Sequence, residues 1–247
     1  MNKLNVLLIV MLFVSCTKNS TQNDEYWRCE QLLDTTGLKL YPFEPFSDDF
    51  GPGKTPFVDL LEARQIPEDF LRGMTTKELF YQFVYTERTM TIYNTPDKRF
   101  NMVTELLNRP DAGQVLLGLL QKYVPTKISG DCYYWGYFLK IFSAQTEVIN
   151  LMTDEEIYNY IHHQLRINEI IKNMYKDDYS SFCFEMRYIL IGLGNVMIRY
   201  EFEPFIQYLW NQNTSNLMWP PTTSDNSSVQ CDFQIINYVE QFINFKK

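Results

Sequence analysis

The chain has 247 residues, of which 45% are hydrophobic and 21% charged, and a formal net charge of −8. That length can bury a real core as one large domain or two small ones. The acidic balance, with a sequence pI near 4.9, excludes the basic face that nucleic-acid binding needs. Its 17 Tyr, 18 Phe and 4 Trp read chiefly as core and interface filling.

The N-terminus runs Met1, Asn2, Lys3 and is then apolar from Leu4 to Val14, interrupted only by Asn5, before Ser15 and Cys16. A positive start, a short apolar stretch and a small residue ahead of a cut describe a secretory signal. The apolar run is about half of the ~20 residues that span a bilayer. Phe13-Val14-Ser15-Cys16 resembles the bacterial lipobox, with Phe13 in place of the usual Leu. The resemblance implies a signal peptide at residues 1–15 and lipidation of Cys16; the competing reading is an ordinary signal-peptidase cut. Several acyl chains on one cysteine make a durable anchor. Residues 17–24, TKNSTQND, are polar and aperiodic, as a flexible tether is. Thr rather than Asp at position 17 implies, by the same resemblance, no retention at the inner membrane.

Residues 41–54, YPFEPFSDDFGPGK, mix Pro, Gly and acid and predict irregular structure packed by its aromatics. Thr75 and Glu78 stand at capping-box spacing ahead of Leu79, Phe80, Phe83 and Val84 and predict a helix start. Thr95-Pro96 and Pro110-Asp111 read as further helix starts. The apolar sets around them, Phe100, Val103 and Leu107, then Leu116, Leu119, Leu120 and Tyr123, fall on single faces. They predict two short amphipathic helices, tightly joined as antiparallel neighbours. Ser129 reads as the cap of a helix carrying Tyr134, Tyr137, Phe138, Ile141 and Phe142, and a second piece holds Val148, Ile149 and Met152. Thr153 and Glu156 repeat the capping box before a long helix with Ile157, Ile161, Leu165, Ile171 and Met174 on its inner side.

After a loop at 176–181, residues 184–200 are apolar almost all round and predict a central, fully buried helix. Gly192 and Gly194 each cost about 1 kcal/mol against alanine there and read as close-packing positions. Glu203-Pro204 opens a helix through Trp210, a polar loop covers 211–232, and residues 233–245 predict a final amphipathic helix. Strand-like alternation is nearly absent. The expectation is a single all-α domain at 41–247, an α-α superhelix-like fold or irregular helical bundle, without a fixed repeat. A signal at 1–15 and a lipidated tether at 16–40 precede it.

If Cys16 carries lipid, Cys29, Cys132, Cys183 and Cys231 remain, and four cysteines allow three pairings. A bridge between Cys183 and Cys231 would close a loop of roughly 48 residues and stabilise by about 4 kcal/mol in the chain-entropy model; free buried thiols are the alternative. No C-x-x-C pair supports a structural zinc. Gly51-Pro52-Gly53-Lys54-Thr55 carries the end of a phosphate-binding loop, but Asp48 stands where its first glycine belongs and Pro52 removes an N–H, so it reads as a turn. Gly192-Leu193-Gly194 lacks a third glycine and a leading strand. His162 and His163 are adjacent, about 100° apart on a helix, whereas metal pairs want i, i+4. His163, opposite Ile161, reads as solvated. No G-x-S-x-G supplies a nucleophile elbow. Asp154-Glu155-Glu156 suits a helix N-terminus, and Asp48-Asp49 and Asp177-Asp178 suit exposed loops. A carboxylate-only glycosidase site, whose two acids can lie far apart in sequence, stays open as a minority reading. Trp135, within Cys132-Tyr133-Tyr134-Trp135, and Trp219, within Trp219-Pro220-Pro221, are candidate stacking faces for a ligand, weighed against core filling.

From Ile66 to Trp210 the chain resembles a group of uncharacterised all-helical lipoproteins of the Bacteroidota. The resemblance rests on Ile66-Pro67-Glu68-Asp69 with Met74-Thr75-Thr76, Asp111-Ala112-Gly113, Ala144-Gln145 with Ile149 and Thr153-Asp154-Glu155-Glu156, and Glu203-Pro204-Phe205. It implies an address in the cell envelope, at the outer membrane, and no catalytic residues. Asp34-Thr35-Thr36 resembles that phylum's O-glycosylation motif and makes Thr35 a candidate acceptor, against an ordinary exposed turn before Gly37.

The functional expectation is a non-catalytic lipoprotein, without cofactor or metal, whose helical domain binds another protein or serves as a scaffold. The alternative is a glycan-binding or glycan-processing accessory. An immunity or inhibitor lipoprotein is a third reading.

Overall fold

The computed structural model of the chain describes residues 33–43, 65–87, 100–125, 131–211 and 234–246. Among these, 78% are helical and none forms a strand, so the all-α expectation holds. The described helices are α1 (Glu68–Gly73), α2 (Thr76–Glu87), α3 (Asn101–Asn108), α4 (Ala112–Lys122), α5 (Asp131–Ser143), α6 (Thr146–Leu151), α7 (Asp154–Met174), α8 (Tyr179–Arg199), α9 (Glu203–Asn211) and α10 (Gln234–Lys246).

Both capping boxes form. The Glu78 N–H donates to Thr75 Oγ1 at 3.2 Å and the Thr75 N–H to Glu78 Oε2 at 2.7 Å; Thr153 and Glu156 repeat the exchange at 3.2 and 2.7 Å. Each box satisfies two otherwise orphaned donors of a first helical turn. Two helix starts differ from expectation. Pro110 does not open α4: it holds Arg109 extended, at ψ 130, which ends α3, and Asp111 is the residue before α4. Helix α8 begins at Tyr179, inside the expected loop, because the Asp178 carboxylate accepts the Ser181 N–H at 3.1 Å and caps it. Thr95-Pro96, Ser129, the glycine-rich segment at 51–55 and most of the polar loop after Trp210 lie outside the described residues.

Helix α8 is the centre of the bundle. It packs on α5, α6, α7, α9 and α10, while α4 is a second hub against α2, α3, α5, α6 and α7. Contacts between elements distant in sequence make this an irregular bundle and not a stack in which each unit touches only its neighbours. By composition alone α8 is long and apolar enough to cross a membrane, but 78% of its apolar window is buried inside the fold. Gly192 permits this burial. A Cβ there would overlap the Tyr160 hydroxyl of α7 and come within 3.3 Å of the Ala144 Cβ, so glycine lets α7 sit directly on α8.

The C-terminus of α8 turns sharply. The Glu201 N–H reaches Ile198 O and the Phe202 N–H reaches Met197 O, both at 2.9 Å, which is the Schellman pattern. Glu201 takes the left-handed position at φ 49, a place usually given to glycine.

Packing begins earlier than Tyr41. Leu33, Leu38 and Leu40 already lie against the core. The Glu78 and Gln82 side chains accept the N–H groups of Lys39 and Tyr41, each at 2.6 Å, and Gln82 Nε2 returns a bond to Tyr41 O at 3.3 Å. The four residues from Glu78 to Gln82 rise about 6 Å along α2, close to the ~6.6 Å of two extended residues, so the two acceptors match alternate amides. Burial opposes the charge of Glu78, but the N–H groups of Thr75 and Lys39 and the Thr75 hydroxyl outweigh it and hold its carboxyl below the ordinary range.

Candidate functional site

A buried ion pair lies toward the N-terminal end of α8. Lys140 of α5, 1% exposed, forms an ion pair with the Glu185 carboxylate of α8, 6% exposed, and its Nζ also lies 3.5 Å from the Glu185 carbonyl. Burial pulls the Lys140 ammonium below its ordinary pKa, and Glu185 opposes that shift. Tyr133 directs its hydroxyl at Glu185 and, chiefly through burial, titrates far above the ordinary range. Burial also holds the Tyr123 hydroxyl far above its ordinary range, and the Glu185 charge adds to the effect. Tyr175 at the end of α7 is raised by burial and then by the Glu185 charge.

The elements meet here because small residues let them. A Cβ at Gly136 would overlap the Tyr123 ring, so glycine lets α5 lie directly on that ring at the end of α4. Ser143, one turn further along α5, donates its hydroxyl to Lys140 O at 3.2 Å, and Tyr160 and Gln164 of α7 are likewise buried. The result is a polar seam inside apolar walls. Lys140 has an amine with lowered basicity and Glu185 a carboxylate, the groups proton transfer uses, but both are closed off and pair with each other.

His163 is not solvated. It is 8% exposed, its Nε2 lies 3.3 Å from Arg166 Nη2, and that guanidinium donates to Tyr123 O at 3.3 Å. Burial first, and then the Arg166 charge, push its pKa down to about 4. The single-face reading failed because α4 also covers this side of α7. His162 is exposed and packs edge-on to Tyr158, with centroids 4.2 Å apart. No group of three or more His, Cys, Asp or Glu suited to a metal occurs among the described residues.

The residues singled out in sequence do not converge. Cys16 and Trp219 lie outside the described residues. Trp135 is 1% exposed, edge-on to Phe80 at 5.5 Å and steeply inclined to Tyr81 at 6.1 Å. It is core, and no ligand ring can stack on it in this fold. Thr35, half-buried, begins a turn closed by the Leu38 N–H on its carbonyl at 3.0 Å, with Gly37 at φ 79, a backbone that glycine supplies in type II turns. The Asp34 carboxylate accepts the Thr36 N–H at 2.8 Å. Cys132 is disulfide-bonded. Cys183 is free and half-buried, so the 183–231 bridge does not form.

Sequence reading missed the Lys140–Glu185 pair, whose members are 45 residues apart. The available signal was a single lysine inside YYWGYFLKIF and a single acid inside SFCFEMRYIL, since lone charges in apolar helices need partners.

Large apolar side chains are exposed elsewhere: Trp210 at 80%, Phe245 at 69%, Tyr179 at 64%, Tyr158 at 50% and Phe184 at 45%. Phe184 ends a stacked row, 5.7 Å from Tyr137, itself 6.2 Å from Tyr133. Comparison of the chain with protein-family models, curated proteins and solved structures finds no match.

Proposed function

We propose that this chain is a cell-envelope lipoprotein, lipidated at Cys16 and held at the outer membrane, whose helical domain works by binding another protein. The supporting observation is a set of large aromatic side chains left on the surface while the charged groups with candidate chemistry are buried. Lys140, Glu185 and His163 are buried, while Trp210, Phe245, Tyr179 and Tyr158 are turned outward. Aromatic side chains of this kind dominate the energetics of protein interfaces.

Two measurements test this reading. Cys16→Ser removes the thiol that this reading assigns to the lipid, so the variant should leave the membrane fraction and lose incorporation of labelled palmitate. A variant that stays membrane-bound and correctly cut overturns the anchor. Cross-linking on intact cells, followed by mass spectrometry, should return a protein at stoichiometric yield. Recovery of the chain alone, or with carbohydrate only, overturns the protein-binding reading.

A second reading, a glycan-binding accessory, is favoured by the Tyr133–Tyr137–Phe184 row and not by Trp135. It expects Phe184→Ala to abolish retention on a polysaccharide that retains the unaltered chain. Equal retention overturns it.

A further inference from the structure

Helices α7 and α10 both rest on α8 and hardly touch each other, which leaves a slot between them of about 190 Å³. It is lined by Ile157, Tyr158 and Ile161 from α7, Phe242 and Ile243 from α10 and Tyr200 at the end of α8. Ile157, Ile161 and Phe242 are nearly fully buried, and Tyr158 is the exposed apolar side chain. The volume is below the roughly 300–1,000 Å³ of small-molecule sites and suits one or two apolar side chains.

The slot is preformed. The Tyr200 hydroxyl donates to the Asp154 carboxylate, its ring lies 5.4 Å from Phe242, and Lys246 Nζ sits 3.8 Å from the same ring. The Schellman turn at Glu201 fixes where Tyr200 ends. One wall carries an acidic edge. Asp154, Glu155 and Glu156 fill the first turn of α7, Asp154 and Glu155 are exposed, and Glu201 and Glu240 are exposed on the adjoining turn and helix. Lys246 is the cation on the lining, and it already lies over Tyr200.

We infer that the slot between α7 and α10 docks a cationic amphipathic segment of the partner protein, whose apolar side chain fills it while Lys or Arg side chains meet the α7 edge. This rests on the protein-binding reading above and gives that reading a site and a partner chemistry. The mode is a helix laid in a groove, with an apolar anchor and charged flanks. The acidic chain, at −8 overall, steers such a segment toward it.

The test uses the full chain in neutral detergent and two synthetic peptides. One is a short amphipathic helix of Leu and Lys carrying a photoreactive leucine, and the other has Glu in place of every Lys. The Lys peptide should cross-link to residues of α7 and α10 that line the slot, and bind more weakly as salt is raised. Tyr158→Ala removes an exposed wall and Glu155→Lys reverses an exposed charge, so neither disturbs the core. Each should weaken binding by about tenfold, and the Glu peptide should not cross-link there.

Cross-links elsewhere, unchanged binding by both variants, or equal binding of the two peptides overturns the inference. So does a cross-link, in protein without peptide, between the slot and the chain's own residues 212–233. Repeating the cell experiment with Tyr158→Ala separates the two levels. A partner recovered undiminished refutes this slot and leaves protein binding standing, whereas no partner from the unaltered chain refutes the wider reading.

Discussion

The two ends of α8 solve opposite problems. At the N-terminal end, Lys140 and Glu185 are buried beneath Tyr123 and Tyr133, and polar groups are hidden where water cannot reach. At the C-terminal end, the buried side chains of Ile157, Ile161 and Phe242 and the half-buried Ile243 line a narrow slot, and Tyr158, 50% exposed, is the apolar side chain that faces water. Burying charge is costly unless it is paired, and apolar surface left uncovered forgoes about 25 cal/mol per Å². One end therefore uses its charges for internal order, and the other leaves Tyr158 and a small slot at its surface.

The largest expected effect breaks the sealed end. Lys140→Met leaves the Glu185 carboxylate buried without its partner and should cost about 3–5 kcal/mol of unfolding free energy in urea. Adding Glu185→Leu to it should restore most of that loss, since an apolar pair fills similar space. A double variant as unstable as the single one would show that the pair itself, and not the desolvation of an orphaned charge, holds α5 on α8.

His163 sharpens the same end through pH. Folded, it stays neutral down to about pH 4, whereas unfolded it takes a proton near pH 6.5. The unfolded chain thus binds the proton first as pH falls. The stability concerned is present above about pH 6.5 and is lost between there and pH 4, by up to about 3 kcal/mol. His163→Gln should flatten that part of the urea-midpoint profile, and an unchanged slope would place the titration elsewhere.

The smallest effect lies at the open end. Glu201→Gly relieves the left-handed backbone at φ 49 and should raise stability by about 1 kcal/mol, read as a higher melting temperature. If Lys-peptide binding is unchanged in that variant, the slot depends on the turn's shape and not on the Glu201 charge.

Several elements were legible because their signals are local. The two capping boxes join residues three apart, so Thr75–Glu78 and Thr153–Glu156 are readable in a line of text. The buried character of α8 from Glu185 to Met197 follows from an almost continuous apolar stretch, whereas Phe184, expected inside, is exposed because no described helix fully covers that face near the start of α8. Helix ends were less legible. Arg109 stops α3 because Pro110 follows it, and Asp178 opens α8 earlier than apolar periodicity suggests. The clamp of Glu78 and Gln82 on Lys39 and Tyr41 spans about forty residues, a separation at which spacing carries no information.

By itself the sequence determined that this chain is helical, where two of its helices are capped, and that Gly192 sits at a close crossing, because propensity, capping and periodicity act within a few residues. Only the tertiary structure decided that Trp135 is core, that His163 is covered, that Lys140 meets Glu185, and that α7 and α10 leave a slot. Each of these depends on which second helix lies against a given face, a choice set by packing across the whole bundle and not by any one segment.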